Sequence, residues 1–170
     1  MPYDVQRLLR LWTDPLPEDD GAAAAAFQEL YSDPVTANGA SLTAAELVAR
    51  ARVMQAALEN AEHEVLSVVD AGGSVALAFR LAGRQVGPLD TPAGRVPPTG
   101  QRLDLRIIDV LTLVDGRISA IVMVADWLAA LAATKAVHLS APAGDGESPP
   151  ASESRPSGRV PPAPAVPGDE

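Results

Sequence analysis

The stretch Arg102–Leu131, RLDLRIIDVLTLVDGRISAIVMVADWLAAL, constrains the fold more than any other. Two long apolar-rich runs flank Asp115-Gly116. An Asp-Gly pair so placed is the strongest short-range hairpin signal, because both turn residues must accept positive φ. The stretch therefore reads as a long strand, a tight turn, a second long strand and a closing helix. In the first strand Leu103, Leu105, Ile107, Leu111 and Leu113 share one face by the period of two. Asp109 is the single interruption of that face. Burying a carboxylate without a partner is costly, so Asp109 is either satisfied by neighbours or lines a cavity.

Upstream, the period is helical. Asp4 can cap a short helix carrying Val5, Leu8, Leu9 and Trp12 on one face, stopped by Asp14-Pro15 and Pro17. Asp19 or Asp20 starts a second helix with Ala23, Phe27, Leu30 and Tyr31 on one stripe, ended by Ser32-Asp33-Pro34. A short extended piece, Val35 to Asn38, closes at Gly39. Thr43 and Glu46 have capping-box spacing at the head of a third helix with Leu47, Ala51, Met54 and Leu58, ending near Asn60. Glu62–Val69 and Ser74–Leu81 then read as strands joined by Asp70-Ala71-Gly72-Gly73, with Val75, Leu77, Phe79 and Leu81 on one face. Gly83 to Gly100 reads as a Gly/Pro-rich loop, long enough to suggest a lid, an interface or mobility.

Charge and composition exclude several functions. A net charge of −9 argues against nucleic acid or an anionic membrane surface as partner. The absence of cysteine removes disulfides, a thiolate nucleophile and Cys-ligated metal, and two histidines are too few for a zinc site, so no metal or cofactor is expected. The N-terminus carries no signal-peptide pattern, and apolar runs such as Ile118–Ala125 are too short to span a bilayer. A cytoplasmic location is the expectation. Lys135 is the only lysine among 13 basic residues, and alanine is abundant, a bias associated with high-GC bacteria.

Residues 1–138 are enough for one domain with one core, whereas 139–170 are rich in Pro, Ala, Gly and Ser and read as a disordered tail. Truncation after Leu139 is accordingly expected to leave the melting temperature within about 2 °C. A larger fall in a thermal melt would place part of the domain's stability in the tail.

Three helices, an antiparallel meander and a short helix make an α+β domain in which a curved sheet wraps around helices. With LYSDPVTANG after the second helix, the run up to Arg106-Ile107-Ile108-Asp109, and DGRI followed by VADWLAAL, residues 4–136 resemble the nuclear-transport-factor-two-like superfamily. Within it the chain is most similar to the SnoaL-like polyketide cyclase (ester cyclase) branch, with ketosteroid isomerases and limonene epoxide hydrolases as cousins. The resemblance implies a cone with a deep apolar pocket for a small apolar or polycyclic ligand. It also implies a homodimer through the outer sheet face. The activity implied is cofactor-free acid/base chemistry, an aldol cyclisation or isomerisation through an enolate; a catalytically silent ligand-binding or dimerisation domain is the alternative.

The resemblance also suggests site residues. Asp109 occupies the strand position where ketosteroid isomerases carry an oxyanion-hole aspartic acid, so it could donate a hydrogen bond as a neutral acid; otherwise it is a structural anion. Cyclases and epoxide hydrolases place a catalytic aspartate on the last strand, where Met123 stands here. Asp126, three residues on, also resembles a family position and is better placed to cap the final helix. Asp126 and His63 are the candidate bases, His63 being alternatively an edge histidine. Asn38 could hold substrate or water, or simply precede a turn. Trp12, Trp127 and Phe79 are candidate pocket walls or core anchors. The isomerases' tyrosine, near Leu8, and their general-base aspartate, near Asn38 or Gly39, are missing.

Overall fold

A computed structural model of the chain describes residues 3–138 and 140; the tail expected to be disordered lies outside the described residues, save Ser140. Four helices are seen among them: α1 (Val5–Thr13), α2 (Asp20–Gln28), α3 (Ala44–Ala57) and α4 (Trp127–Ala133). Eight strands accompany them: β1 (Tyr31–Ala37), β2 (Ala40–Leu42), β3 (Leu58–Asp70), β4 (Ser74–Gln85), β5 (Leu89–Thr91), β6 (Gly94–Val96), β7 (Arg102–Val114) and β8 (Arg117–Ala125). The helix starts follow local capping chemistry. Asp4 accepts from the Arg7 N–H, Asp19 from Ala22, and Thr43 with Glu46 closes a reciprocal capping box, each cap stabilising its helix by about 1 kcal/mol.

Six strands form one curved sheet in the order β2-β1-β8-β7-β4-β3, and β5 with β6 makes a separate small hairpin. At the β7–β8 turn Asp115 and Gly116 have φ of 50° and 77°. All pairs in the large sheet are antiparallel except β1 with β8, which run parallel. Nothing local in either strand could have announced that pairing. The inner face of β7 packs Leu103, Leu105, Ile107 and Leu111 against helix residues such as Leu8, Phe27, Leu47 and Ala51 in one core.

Three boundaries differ from the sequence expectation. Tyr31, expected on the stripe of α2, opens β1: the helix ends at Gln28, and the Leu30 carbonyl accepts from the Ile118 N–H at 2.8 Å, drawing the chain into the sheet. Leu58, expected in α3, begins β3, its N–H closing the helix on the Met54 carbonyl. Pro34 is tolerated inside β1 because the ladder to β8 is interrupted between Tyr31 and Thr36.

The third difference is the Gly83–Gly100 segment, which is not a structureless loop. The strand β4 continues to Gln85, and Gly83 is a close-approach position, its would-be Cβ 3.3 Å from the Ala61 Cα. The Gln85 side chain is fully buried; it donates to the Gly87 and Pro97 carbonyls and accepts from the Thr99 hydroxyl at 2.8 Å. One glutamine thus satisfies backbone groups from both ends of the segment.

The outer face of the sheet is divided. Toward one end Arg80 lies 3.4 Å from Glu64 and 3.7 Å from Asp104, an exposed cluster of small net value. Arg80 of β4 is thus the partner of Asp104 on β7. Toward the other end the face is apolar, with Ile108, Val110, Val122 and Val124 exposed.

Candidate functional site

Asp109 sits in the middle of β7, paired with Leu77 of β4 on one side and Met123 of β8 on the other. All three side chains point to the concave face, where Leu77 is fully buried and Met123 is 45% exposed. Asp109 therefore stands between a buried and a half-exposed neighbour. Its Oδ1 is sealed from solvent without a hydrogen-bond partner among the described residues. Burial raises its carboxyl pKa from 3.8 to about 6, because desolvation disfavours the charged form. No ion pair among the described residues includes it.

Residues of α1, α2 and β1 assemble an aromatic group in the core. The Trp12 Nε1–H donates to the Tyr31 hydroxyl oxygen at 2.8 Å. Phe27 meets Trp12 edge-on at 5.5 Å between centroids and Tyr31 at 5.7 Å. Tyr31 is buried, which pushes its hydroxyl pKa up; the Trp12 hydrogen bond opposes this, and charge on Tyr3 and Asp109 adds to it. Burial pushes Tyr3 up to about 12, and its hydroxyl, like Asp109 Oδ1, has no partner among the described residues. Tyr31 was legible only as a β-favouring aromatic just before the helix stop Ser32-Asp33-Pro34.

The other expected site residues are placed as follows. Asn38, at φ 46°, extends the sheet with its side chain: Nδ2 donates to the Met123 carbonyl at 3.0 Å and Oδ1 accepts from the Met123 N–H at 2.8 Å. It fixes the backbone of the residue opposite Asp109. His63 lies two strands from β7, on β3, with Nδ1 3.3 Å from Thr13 Oγ1 and Nε2 3.2 Å from Gln6 Oε1. Both ring nitrogens tie β3 to α1. Asp126 is the N-cap of α4, accepting from the Ala129 N–H at 3.1 Å. Phe79 is part of the core, whereas Trp12 and Trp127 are half-buried against it. Asp109 and His63 both stand on the helix-facing side of the sheet, His63 opposite buried Leu81 and bonded to α1, whereas Asp126 caps α4.

Two surface cavities lie elsewhere. One of about 430 Å³ runs between the β6 region and the end of α4, with Arg95 and Lys135 in its wall; another of about 240 Å³ lies between α1 and α2. Neither wall includes Asp109. Among the described residues no three His, Asp or Glu side chains gather as a metal site, and no helix is long and apolar enough to cross a membrane.

With this geometry in place, the comparisons are informative. A family model described as SnoaL-like polyketide cyclase matches residues 6–134. A candidate SnoaL-like polyketide cyclase from Jannaschia sp. CCS1 is 24% identical, with a TM-score of 0.60 over 79% of this chain and 92% of that one. TsrD from Streptomyces laurentii is 18% identical, with a TM-score of 0.62 over 78% and 96%. A hypothetical protein with a ketosteroid isomerase-like fold from Catenulispora acidiphila, solved with trimethylamine, is 16% identical, with a TM-score of 0.56 over 77% and 91%. At these identities the likeness to solved structures shows the fold. No curated protein matches the chain.

Proposed function

The chain belongs to the SnoaL-like polyketide cyclase family, and from that premise we propose that Asp109 moves a proton at an activated carbon of a polycyclic or polyketide-like substrate. The observation that carries this is an unpaired carboxyl on an otherwise apolar concave face, beside the half-open position of Met123. An acid of pKa about 6 is mostly ionised at neutral pH and close to the working range of a general base. Asp109 then acts as the base, in place of the neutral donor expected from the resemblance, and returns the proton later in the same turnover. A single carboxylate suffices for an enolisation in which abstraction and return use one group.

The test needs no knowledge of the natural substrate. Wild-type protein in deuterated buffer should accelerate deuterium exchange at the activated carbon of 2-tetralone, followed by proton NMR. Asp109→Leu should abolish the acceleration. Exchange that survives in Asp109→Leu would remove Asp109 from the chemistry.

A second reading, a catalytically silent ligand-binding or dimerisation domain, draws support from Met123 at the usual carboxylate position and from the engagement of His63 and Asp126 elsewhere. In that case ligands bind without exchange.

The apolar half of the outer sheet supports a homodimer. Val122 and Val124 are 59% and 66% exposed, and together with Ile108 and Val110 they form a contiguous face on adjacent strands, better suited to an isologous contact than to water. Light scattering at tens of micromolar should give twice the chain mass, and Val124→Glu should shift it to the monomer. A monomeric wild type would end this claim.

A further inference from the structure

The larger surface cavity, about 430 Å³, joins two elements far apart in sequence: the strand β6 with the run to Thr99, and the turn that ends α4. Its wall is mostly apolar, with Val96, Pro97, Leu131 and Val137, and its only ionisable side chains are Arg95 and Lys135, both cationic. That sign runs against the chain, whose net charge is −9 and whose sole lysine is Lys135. Lys135 makes no ion pair among the described residues. Arg95 has only Asp90, at 3.9 Å with both side chains largely exposed, a contact of small net value.

Both walls are held by the chain itself. The Thr91 hydroxyl donates to the Gly94 carbonyl at 2.7 Å, the Gln85 amide donates to the Pro97 carbonyl, and the Thr99 hydroxyl donates to Gln85. On the other side the Leu131 carbonyl accepts from the Thr134 hydroxyl at 3.0 Å and from the Ala136 N–H at 2.9 Å, and the Lys135 N–H donates to the Ala132 carbonyl. Lys135 has φ 59°, the left-handed position after a helix that glycine ordinarily fills. A lysine there keeps backbone strain that glycine would relieve, and what it adds is an ammonium at the cavity.

We infer that this cavity binds a small organic monocarboxylate, its carboxylate shared by Arg95 and Lys135 and its hydrocarbon body lying on Val96, Pro97, Leu131 and Val137. The charges fit: Arg95 and Lys135, offset by Asp90, leave one net positive charge for one carboxylate. A phosphate dianion overshoots that balance and leaves the apolar wall bare. The guanidinium fork matches the two oxygens of a carboxylate, and the volume is in the range of small-molecule sites. Asp109 is absent from this wall, so the inference does not depend on the proton transfer proposed there.

Equilibrium dialysis of the full chain at neutral pH with 2-naphthoate and 2-naphthamide, an anion and a neutral amide of nearly the same shape, tests this. Wild type should hold the naphthoate about tenfold more tightly than the amide. Arg95→Gln and Lys135→Gly should each weaken naphthoate binding about fivefold and leave the amide within about twofold. Asp90→Asn should tighten naphthoate about twofold, because it frees Arg95 from a competing carboxylate. Lys135→Gly also separates binding from folding: it relieves the left-handed φ, so its melting temperature should not fall while its affinity does. Should that variant melt lower, the exposed Arg95→Gln decides. Equal binding of the acid and the amide by wild type overturns the carboxylate site. So does a naphthoate preference that survives in both Arg95→Gln and Lys135→Gly, which would place the acid elsewhere on the chain. Absence of naphthoate binding at millimolar probe overturns it as well.

Discussion

Asp109→Leu should make this protein more stable at neutral pH, by on the order of 1–3 kcal/mol. The side chain stands on an apolar face with one carboxyl oxygen sealed and unpaired, and its pKa is raised from 3.8 to about 6 by burial alone. A raised carboxyl pKa means that the folded state holds the proton more tightly than the unfolded state. The destabilisation is therefore absent below about pH 4, where both states are protonated, grows between about pH 4 and 6, and is complete above about pH 6. The advantage of Asp109→Leu over wild type should widen across that window, and Asp109→Asn should show part of the widening, since it removes the charge and keeps a polar group. Urea denaturation of the three proteins at pH 4, 5, 6 and 7 measures this. A leucine variant weaker than wild type by several kcal/mol at pH 7 would show that Asp109 is a structural anion, because removing one member of a buried pair costs about 3–5 kcal/mol.

Gly87→Ala should be the most damaging glycine-to-alanine change among the described residues. A Cβ at that position would lie 2.8 Å from the Ala56 carbonyl oxygen and 2.9 Å from the Ala57 Cα, both of them backbone atoms at the end of α3. The N–H groups of Val86 and Gly87 both donate to the Ala57 carbonyl, at 2.9 and 3.1 Å, and the Gln85 amide donates to the Gly87 carbonyl. The contact cannot open without breaking these bonds, so a loss of about 2–4 kcal/mol is expected. Gly94 supplies the contrast. Its φ is +112° but a Cβ there would meet nothing within 4 Å, so Gly94→Ala should cost only about 1 kcal/mol from backbone strain. Thermal melts of the two variants compare steric closeness with conformational strain in one protein. A Gly87→Ala melt equal to wild type would mean that the segment is free of α3.

Much of the architecture could be read from local chemistry. Asp4, Asp19 and the Thr43–Glu46 pair are caps whose hydrogen bonds are made within four residues. Asp115-Gly116 is a turn for reasons of φ alone. The alternation in β7 named the buried face and isolated Asp109 on it, since the period of two is a property of the strand and needs no knowledge of its neighbours.

The site was less legible because its parts are joined across the fold. Tyr31 counted as a helix residue on periodicity, and only the carbonyl bond of Leu30 to β8 makes it the first residue of a strand. Trp12 and Tyr31 are 19 residues apart and Asp109 is 78 further on, so no spacing rule connects them. The commitments of His63 to Gln6 and Thr13, and of Asn38 to the backbone of Met123, decide what those side chains are free to do. Here the sequence by itself determined the elements, their buried faces and the one anomalous carboxyl, because each follows from interactions among near neighbours. Only the tertiary structure decided the parallel β1–β8 pairing, the anchoring of Gly87 and the Trp12–Tyr31 hydrogen bond. These depend on which distant backbone groups meet, and hydrogen-bond satisfaction in a closed interior settles that only when the whole chain is in place.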